Sequence, residues 1–191
     1  MRAFTLARSA NAPDEIWLTQ HSSVYTLGLN GNPAHLRESS HIPLVRTDRG
    51  GQITWHGPGQ LVAYTLIDLK RAGFGIRSLV DRLESAVINT LLPFGIRGER
   101  IPQAPGVYIQ GAKIASVGLR IVRGCSYHGL SLNIDPDLRP FLAINPCGYA
   151  GLTVTSLADQ GIRSSVMVLM PSLLLSLMDA LGYPSIENQA H

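Results

Sequence analysis

Apolar positions along the chain fall mostly into short alternating runs broken by glycine and proline, with three stretches at helical spacing. Ala3, Leu6, Ala7 and Ala10 set the first, a helix over Met1 to Ala10 with no capping residue ahead of it. Ile16-Trp17-Leu18 and Val24-Tyr25-Thr26-Leu27 predict two short strands separated by polar residues, and Ile42 to Arg46 a third beyond the loop from Gly28 to Pro33. Asp48 to Gln60 is glycine-dense and irregular, and an apolar strand follows from Leu61 to Leu69. Ser78-Leu79-Val80-Asp81 has the form of a capping box, in which the carboxylate reaches back to a free amide. It opens the strongest helix: Leu79, Val80, Leu83, Val87, Ile88 and Leu91 share one face, and Gly95 closes it. Val107-Tyr108-Ile109 and Ile114 to Val122 flank Gln110-Gly111 as a hairpin, and Ser126 to Ile134 is a further strand before the turn Asp135-Pro136-Asp137. Pro140 to Gly151 is irregular, and Ser164 to Leu181 is helical, with Pro171 starting or kinking it. Strands interspersed with helices and hairpins predict an α+β fold with a mainly antiparallel or mixed sheet. No repeat, low-complexity tract or linker divides the chain, so residues 1–191 read as one domain.

Composition narrows the class. Apolar residues are 45% and charged residues 15% of the chain, which excludes disorder and coiled coil. Two cysteines make no disulfide framework and suit a reducing compartment. No apolar run spans a membrane and the N-terminal apolar stretch is too short for a secretory signal, so the expectation is a cytoplasmic protein. The net charge is +3, carried almost wholly by arginine: Lys70 and Lys113 are the only lysines. The basic residues are scattered and lack interleaved aromatics, which argues against nucleic acid and leaves an acidic protein or cofactor as partner.

Three segments carry candidate chemistry. Arg49 to Gln60 holds four glycines that let backbone amides approach a ligand, but it lacks the Gly-Lys-Ser/Thr ending of a phosphate loop; a tight hairpin with a surface arginine and histidine explains it equally well. Lys113 lies among small and apolar residues. Buried, its ammonium would lose affinity for its proton and serve as a base; in solvent, it would guard a sheet edge, which composition favours. Cys147, between Pro146 and Gly148, sits in irregular backbone whose amides suit an activated thiol or a plain buried loop cysteine, whereas Cys125 opens an apolar strand as an inert packed thiol. Cys125-x-x-His128 is half of a zinc spacing with no second half, so no metal is expected.

Seven ordered stretches resemble the octanoyltransferase family of lipoate biosynthesis, the octanoyl-acyl-carrier-protein:protein N-octanoyltransferases. They are Asp14 to Leu18, Val24 to Gly28, Arg49 to Gln60, Ala104 to Tyr108, Gly111 to Leu119, Arg123 to Leu130 and Ile144 to Gly151. The resemblance covers residues 1 to 157 and implies a biotin/lipoate protein ligase-like fold, α+β, with a central mixed, mainly antiparallel sheet flanked by helices. It implies that Cys147 takes the octanoyl group as a thioester, and that Lys113 lowers the thiol pKa and later accepts the proton of the incoming amine. By the same matching, Arg49, Gly50, Gly51, Gln52, Ile53, Thr54, Trp55, His56, Ser116, Val117, Gly118, Gly129, Leu130 and Ser131 line the substrate site. The implied partners are octanoyl-acyl carrier protein and the lipoyl domains of 2-oxoacid dehydrogenase E2 subunits and the glycine cleavage H protein. The implied protein is a monomer that needs no cofactor, since the thioester is already activated. Leu61 to Leu69 and Ile114 to Val122 are candidate walls for an eight-carbon chain.

Family members usually carry a strand and the first part of a helix ahead of this chain's start. Trp55 stands where tyrosine is common, and Ser22-Ser23 replaces a usual Pro-Pro. Two other functions compete: an ATP-dependent lipoate or biotin ligase of the same fold, which needs no nucleophilic cysteine, and a non-catalytic lipoyl-domain-binding module. The part played by His56 stays open between orienting the acyl carbonyl, moving a proton and shaping its loop.

Overall fold

A computed structural model describes residues 1–38, 41–146 and 151–184. A six-stranded sheet runs in the order β1 (Glu15–Thr19), β5 (Gln60–Leu66), β9 (Cys125–Asn133), β8 (Ala112–Val122), β7 (Ala104–Ile109), β6 (Glu99–Ile101). Every pairing in it is antiparallel. The parallel element of the mixed architecture lies in a second, three-stranded sheet, where β2 (Val24–Leu27) pairs parallel with β3 (Leu44–Arg46) and antiparallel with β4 (Ile53–His56).

Two helices, α3 (Ile76–Leu91) and α5 (Val166–Leu181), cover one face of the large sheet. Their apolar stripes, Leu79, Leu83, Val87 and Leu91 on one and Leu169, Leu173 and Leu177 on the other, close over Leu61, Ala63, Ile114 and Leu132. Burial of each such side chain contributes about 1.5–3 kcal/mol. A separate core gathers Tyr25, Leu27, Ile53 and Trp55 of the small sheet with Phe141 and Ile144. Strand alternation then decides the function of the large sheet's second face. On β5, Leu61 and Ala63 point to the helices, while Val62 and Tyr64 point into the space between the two sheets.

Several expected elements form as read. Gln110 and Gly111 both take positive φ, 49° and 82°, the pattern of a two-residue hairpin turn that matches strand twist. Others are corrected. The first helix, α1, is shorter than Met1 to Ala10 and spans Arg2–Ala7. Within the stretch expected to be irregular, Ile53–His56 is a strand; its alternation is only four residues long between glycines. The apolar strand after Gln60 stops at Leu66, because the Asp68 carboxylate accepts from the amides of Lys70 and Arg71 and caps the short helix α2 (Leu69–Ala72). Ser78 is not a cap: α3 begins at Ile76 behind Gly75, and Ser78 sits inside its first turn. Pro140 to Leu142 belong to a short helix, α4 (Arg139–Leu142), and not to irregular chain. Pro171 does not start the last helix. Ser165 caps α5, and Pro171 lies inside it, where its missing N–H leaves the carbonyl of solvent-exposed Met167 without that donor.

Candidate active site

A cavity of about 640 Å³ opens between the two sheets, within the roughly 300–1,000 Å³ of small-molecule sites. Strands β5, β8 and β9 floor it, β2 and β4 face them, and Ile76 and Val80 from the start of α3 close one side.

Lys113 borders this cavity and is only 3% exposed, so it is no edge-strand lysine in solvent. Its strand explains the burial. β8 lies between β7 and β9, and a register shift at Val107/Tyr108 leaves Ile114 without a partner across the pair, the signature of a bulge. Lys113 Nζ donates to the carbonyl of Pro105 at 3.1 Å and lies 5.0 Å from the centre of the Tyr108 ring. Its backbone is also clamped: Lys113 N–H donates to Thr153 O at 2.8 Å, and Thr155 N–H donates to Lys113 O at 3.0 Å. Gly106, beside it, has φ 136° and gives its N–H to the buried carboxylate of Glu84, which also pairs with Arg100 at 3.0 Å.

The glycine-dense segment forms the opposite lip. Gly50 N–H donates to Leu119 O at 2.9 Å, bringing the loop's backbone onto β8 beside Gly118. Arg49 directs its guanidinium inward: Nε and Nη2 donate to Thr26 Oγ1 at 3.0 and 2.9 Å, Nη2 to Thr26 O and Gln52 O, and Nη1 to Gly50 O. It is a buckle between β2 and its own loop as well as a cavity residue.

Three histidines meet at one end. His56 Nδ1 is 2.7 Å from Gln60 Oε1, and the His56 and His21 ring centres are 5.9 Å apart. His21 Nε2 is 2.5 Å from the Tyr64 hydroxyl. His128 Nε2 is 2.9 Å from Asp48 Oδ1, and the Tyr127 hydroxyl donates to the other oxygen of Asp48. Burial drives the His56 pKa down to about 4; the Gln60 hydrogen bond opposes this, and the positive field of Arg49 adds to it. Burial lowers His21 as well, and it lowers His128 despite the Asp48 carboxylate. All three rings are therefore neutral near pH 7. His128 holds a left-handed φ of 60°, a strain of about 1–3 kcal/mol that its bond to Asp48 helps maintain. Among the described residues no cluster of three or more His, Cys, Asp or Glu side chains could hold a metal ion.

Of the fourteen residues expected to line the substrate site, thirteen border this cavity. Trp55 does not: on β4 it turns away from Thr54 and His56 into the second core, edge-on to Phe141. Cys147 lies outside the described residues. Cys125 is buried, and burial pushes its thiol pKa up, as an inert packed thiol requires. The sequence reading did not single out His21, Tyr64, Asp48 or Thr26, which complete the site. A polar Gln20-His21-Ser22-Ser23 between two strands is the available signal for His21, and His128 lies within the matched stretch Arg123 to Leu130 without having been given a role there.

Residues 1–176 match the model of the lipoyl protein ligase A/B catalytic domain. An octanoyltransferase of Laribacter hongkongensis is 52% identical over 190 residues, covering 100% of this chain and 92% of that protein. A bi-partite lipoate protein ligase from Thermoplasma acidophilum superposes with a TM-score of 0.71 at 15% identity, over 96% of this chain and 77% of that one. For a biotin protein ligase from Aquifex aeolicus the TM-score is 0.54 at 16% identity, over 82% of this chain and 68% of that one. At such identities these two structures speak to the fold, which is the biotin/lipoate protein ligase-like arrangement expected.

Proposed function

The chain belongs to the octanoyltransferases within the family of lipoyl protein ligase A/B catalytic domains, and from that membership we propose that it moves octanoyl from octanoyl-acyl carrier protein to a lysine of lipoyl domains through a thioester on Cys147. The acceptors are the lipoyl domains of 2-oxoacid dehydrogenase E2 subunits and the glycine cleavage H protein. In the first half-reaction the Cys147 thiolate attacks the octanoyl carbonyl carbon; the new C–S bond forms as the bond to the carrier sulfur breaks, and the carrier leaves as a thiol with the proton given up by the Lys113 ammonium, which becomes the neutral amine. In the second, the acceptor amine attacks the same carbon, an amide forms, the Cys147 thiolate leaves, and the neutral amine of Lys113 takes the proton lost by nitrogen. Thioester exchange is near neutral in energy and amide formation is downhill, so positioning is the protein's main task.

The single observation that carries the proposal is the burial of Lys113 at the wall of an apolar-lined cavity, clamped to the segment that follows Cys147. The two residues are 34 positions apart in sequence, yet Thr153, bonded to the Lys113 amide, comes only six residues after Cys147. That connectivity supports the pairing of thiol and amine. Val24, Val62, Val117 and Leu130 offer the octanoyl chain apolar contact. Intact-mass measurement after mixing the protein with octanoyl-acyl carrier protein, without ATP, tests the route. One octanoyl adduct on the wild type, absent from Cys147→Ser and discharged by a lipoyl domain, is expected. No adduct and no transfer overturns it.

A further inference from the structure

The polar chain behind His56 ends in a group that can only accept, and that end fixes every member. The carbonyl oxygen of Thr155 receives a hydrogen bond from Asn133 Nδ2 at 3.0 Å. A carbonyl has no proton to give, so the nitrogen of the Asn133 amide must face it and Oδ1 must face the other way. Oδ1 in turn accepts from Gln60 Nε2 at 2.8 Å. Gln60 therefore presents Oε1 to His56, and Oε1 accepts only from a protonated Nδ1, 2.7 Å away. Gln60 and Asn133 are 1% and 4% exposed, so solvent does not compete for these bonds.

We propose that Gln60 and Asn133 are positioning residues that lock His56 in its Nδ1–H tautomer, so that Nε2 meets the substrate as a hydrogen-bond acceptor. Gln60 is buried and His56 borders the cavity, which puts the ring's second nitrogen on the substrate side. Resting on the acyl-transfer reading, the assignment chooses among the roles open to His56. A bare Nε2 cannot donate to an acyl carbonyl or to the oxyanion formed from it. It can hold a group that carries a hydrogen, such as the leaving carrier thiol or the attacking lysine amine. The relay also joins the two halves of the site, because Thr155 is the residue whose N–H clamps the backbone of Lys113. The ionisable groups around His56 are Arg49 at the loop, His21 before β2 and His128 on β9; each disfavours a proton on it, and none supplies a carboxylate that would draw one.

Nitrogen-15 NMR of histidine-labelled free protein reads the tautomer directly. The expected spectrum at pH 7 has His56 with a protonated Nδ1 and a bare Nε2; a protonated Nε2, or exchange between both tautomers, overturns the proposal. Gln60→Met removes the acceptor and is expected to release His56 into a mixture of tautomers, whereas an unchanged spectrum would show that the relay does not set it. Gln60→Glu keeps the shape but places a carboxylate against Nδ1, raising the proton affinity of His56 by about tenfold or more. The acid limb of its transfer-rate profile then moves to higher pH, while the second carboxylate oxygen, set against Asn133 Oδ1, lowers the melting temperature; a profile superimposed on the wild type overturns the acceptor role. Because the label is read without substrate, failure of transfer with the expected tautomer faults the transfer reading and leaves the relay standing. The opposite tautomer in a protein that transfers octanoyl overturns the relay alone.

Discussion

Gly106 and Lys113 are matched in shape: a methyl group at Gly106 would lie 3.1 Å from Lys113 Cε and 3.4 Å from Nζ, so the absent side chain is the room the ammonium occupies. The same methyl would come within 2.5 Å of the carbonyl oxygen of Ala115, and the residue's φ of 136° is one that side-chain-bearing residues avoid. Gly106→Ala is therefore expected to destabilise the protein by about 1–3 kcal/mol and to slow transfer beyond what the loss of folded protein explains. Urea unfolding alongside the octanoyl-transfer rate checks both; a variant as stable and as fast as the wild type would contradict this fit.

Lys113→Met replaces the amine by an apolar group of similar length at a site that is almost fully buried. Stability should hold or rise, since a buried polar group is removed. Transfer to the lipoyl lysine should fall by about 10²-fold or more, the scale of a lost general base. Circular dichroism melting and single-turnover transfer distinguish the expected result from simple misfolding.

The neutral histidines make stability depend on pH with a definite sign. A group whose folded pKa is depressed stabilises the fold above its unfolded value, and that stability is lost as pH falls toward the folded value. For His56 the window runs from 6.5 down to about 4, and His21 and His128 act in the same direction. The melting temperature should fall steadily across this range. His56→Asn should flatten the slope; the same slope in the variant would remove His56 as its cause.

Asp14 holds the chain's start to its end. Its carboxylate takes Arg8 Nη2 at 2.7 Å and Arg71 Nη2 at 2.5 Å, the amide of Asp68, and the hydroxyl of Tyr183 on the second oxygen. Burial pushes its pKa up, but these partners together bring it below the usual carboxylate value. The Arg8 side chain is 4% exposed, so Asp14→Ala strands a buried cation and is expected to cost about 3–5 kcal/mol. Tyr183→Phe removes one hydrogen bond and should cost about 1 kcal/mol. Chemical denaturation of both variants checks the ordering.

What was legible before the structure follows from how local each signal is. The turn at Gln110-Gly111 and the apolar stripe from Leu79 to Leu91 depend on neighbours a few residues away, and both form. Ile53–His56 hides because its four-residue alternation sits between glycines that serve close approach and do not break the strand: Gly50 lies on β8 at Leu119, and Gly57 lies against the Trp55 ring. Ser78 offers good capping chemistry one turn too late, since Gly75 already turns the chain into α3. The histidine end of the site was the least legible part. His21 and Tyr64 are 43 positions apart and Asp48 and His128 are 80; the pairing of β5 with β1 and β9 brings the first pair and His128 together, and the docking of the Gly50 loop on β8 delivers Asp48. Lys113 shows the limit of composition alone: the statistics of lysine favour solvent, while the bulge and Gly106 make a buried position available.

The cavity lies between two separately packed apolar cores, walled by Val62, Val117 and Leu130 on the large sheet and by Val24 and Ile53 on the small one. An apolar chain seated there would act as mortar, making one continuous interior out of two. The empty protein should then breathe along this joint before it melts, and its small sheet should exchange amide hydrogens sooner than the sheet beneath the helices. Acylation would slow that exchange and raise the melting point together, so that occupancy of the enzyme could be followed by its rigidity without any assay of the reaction.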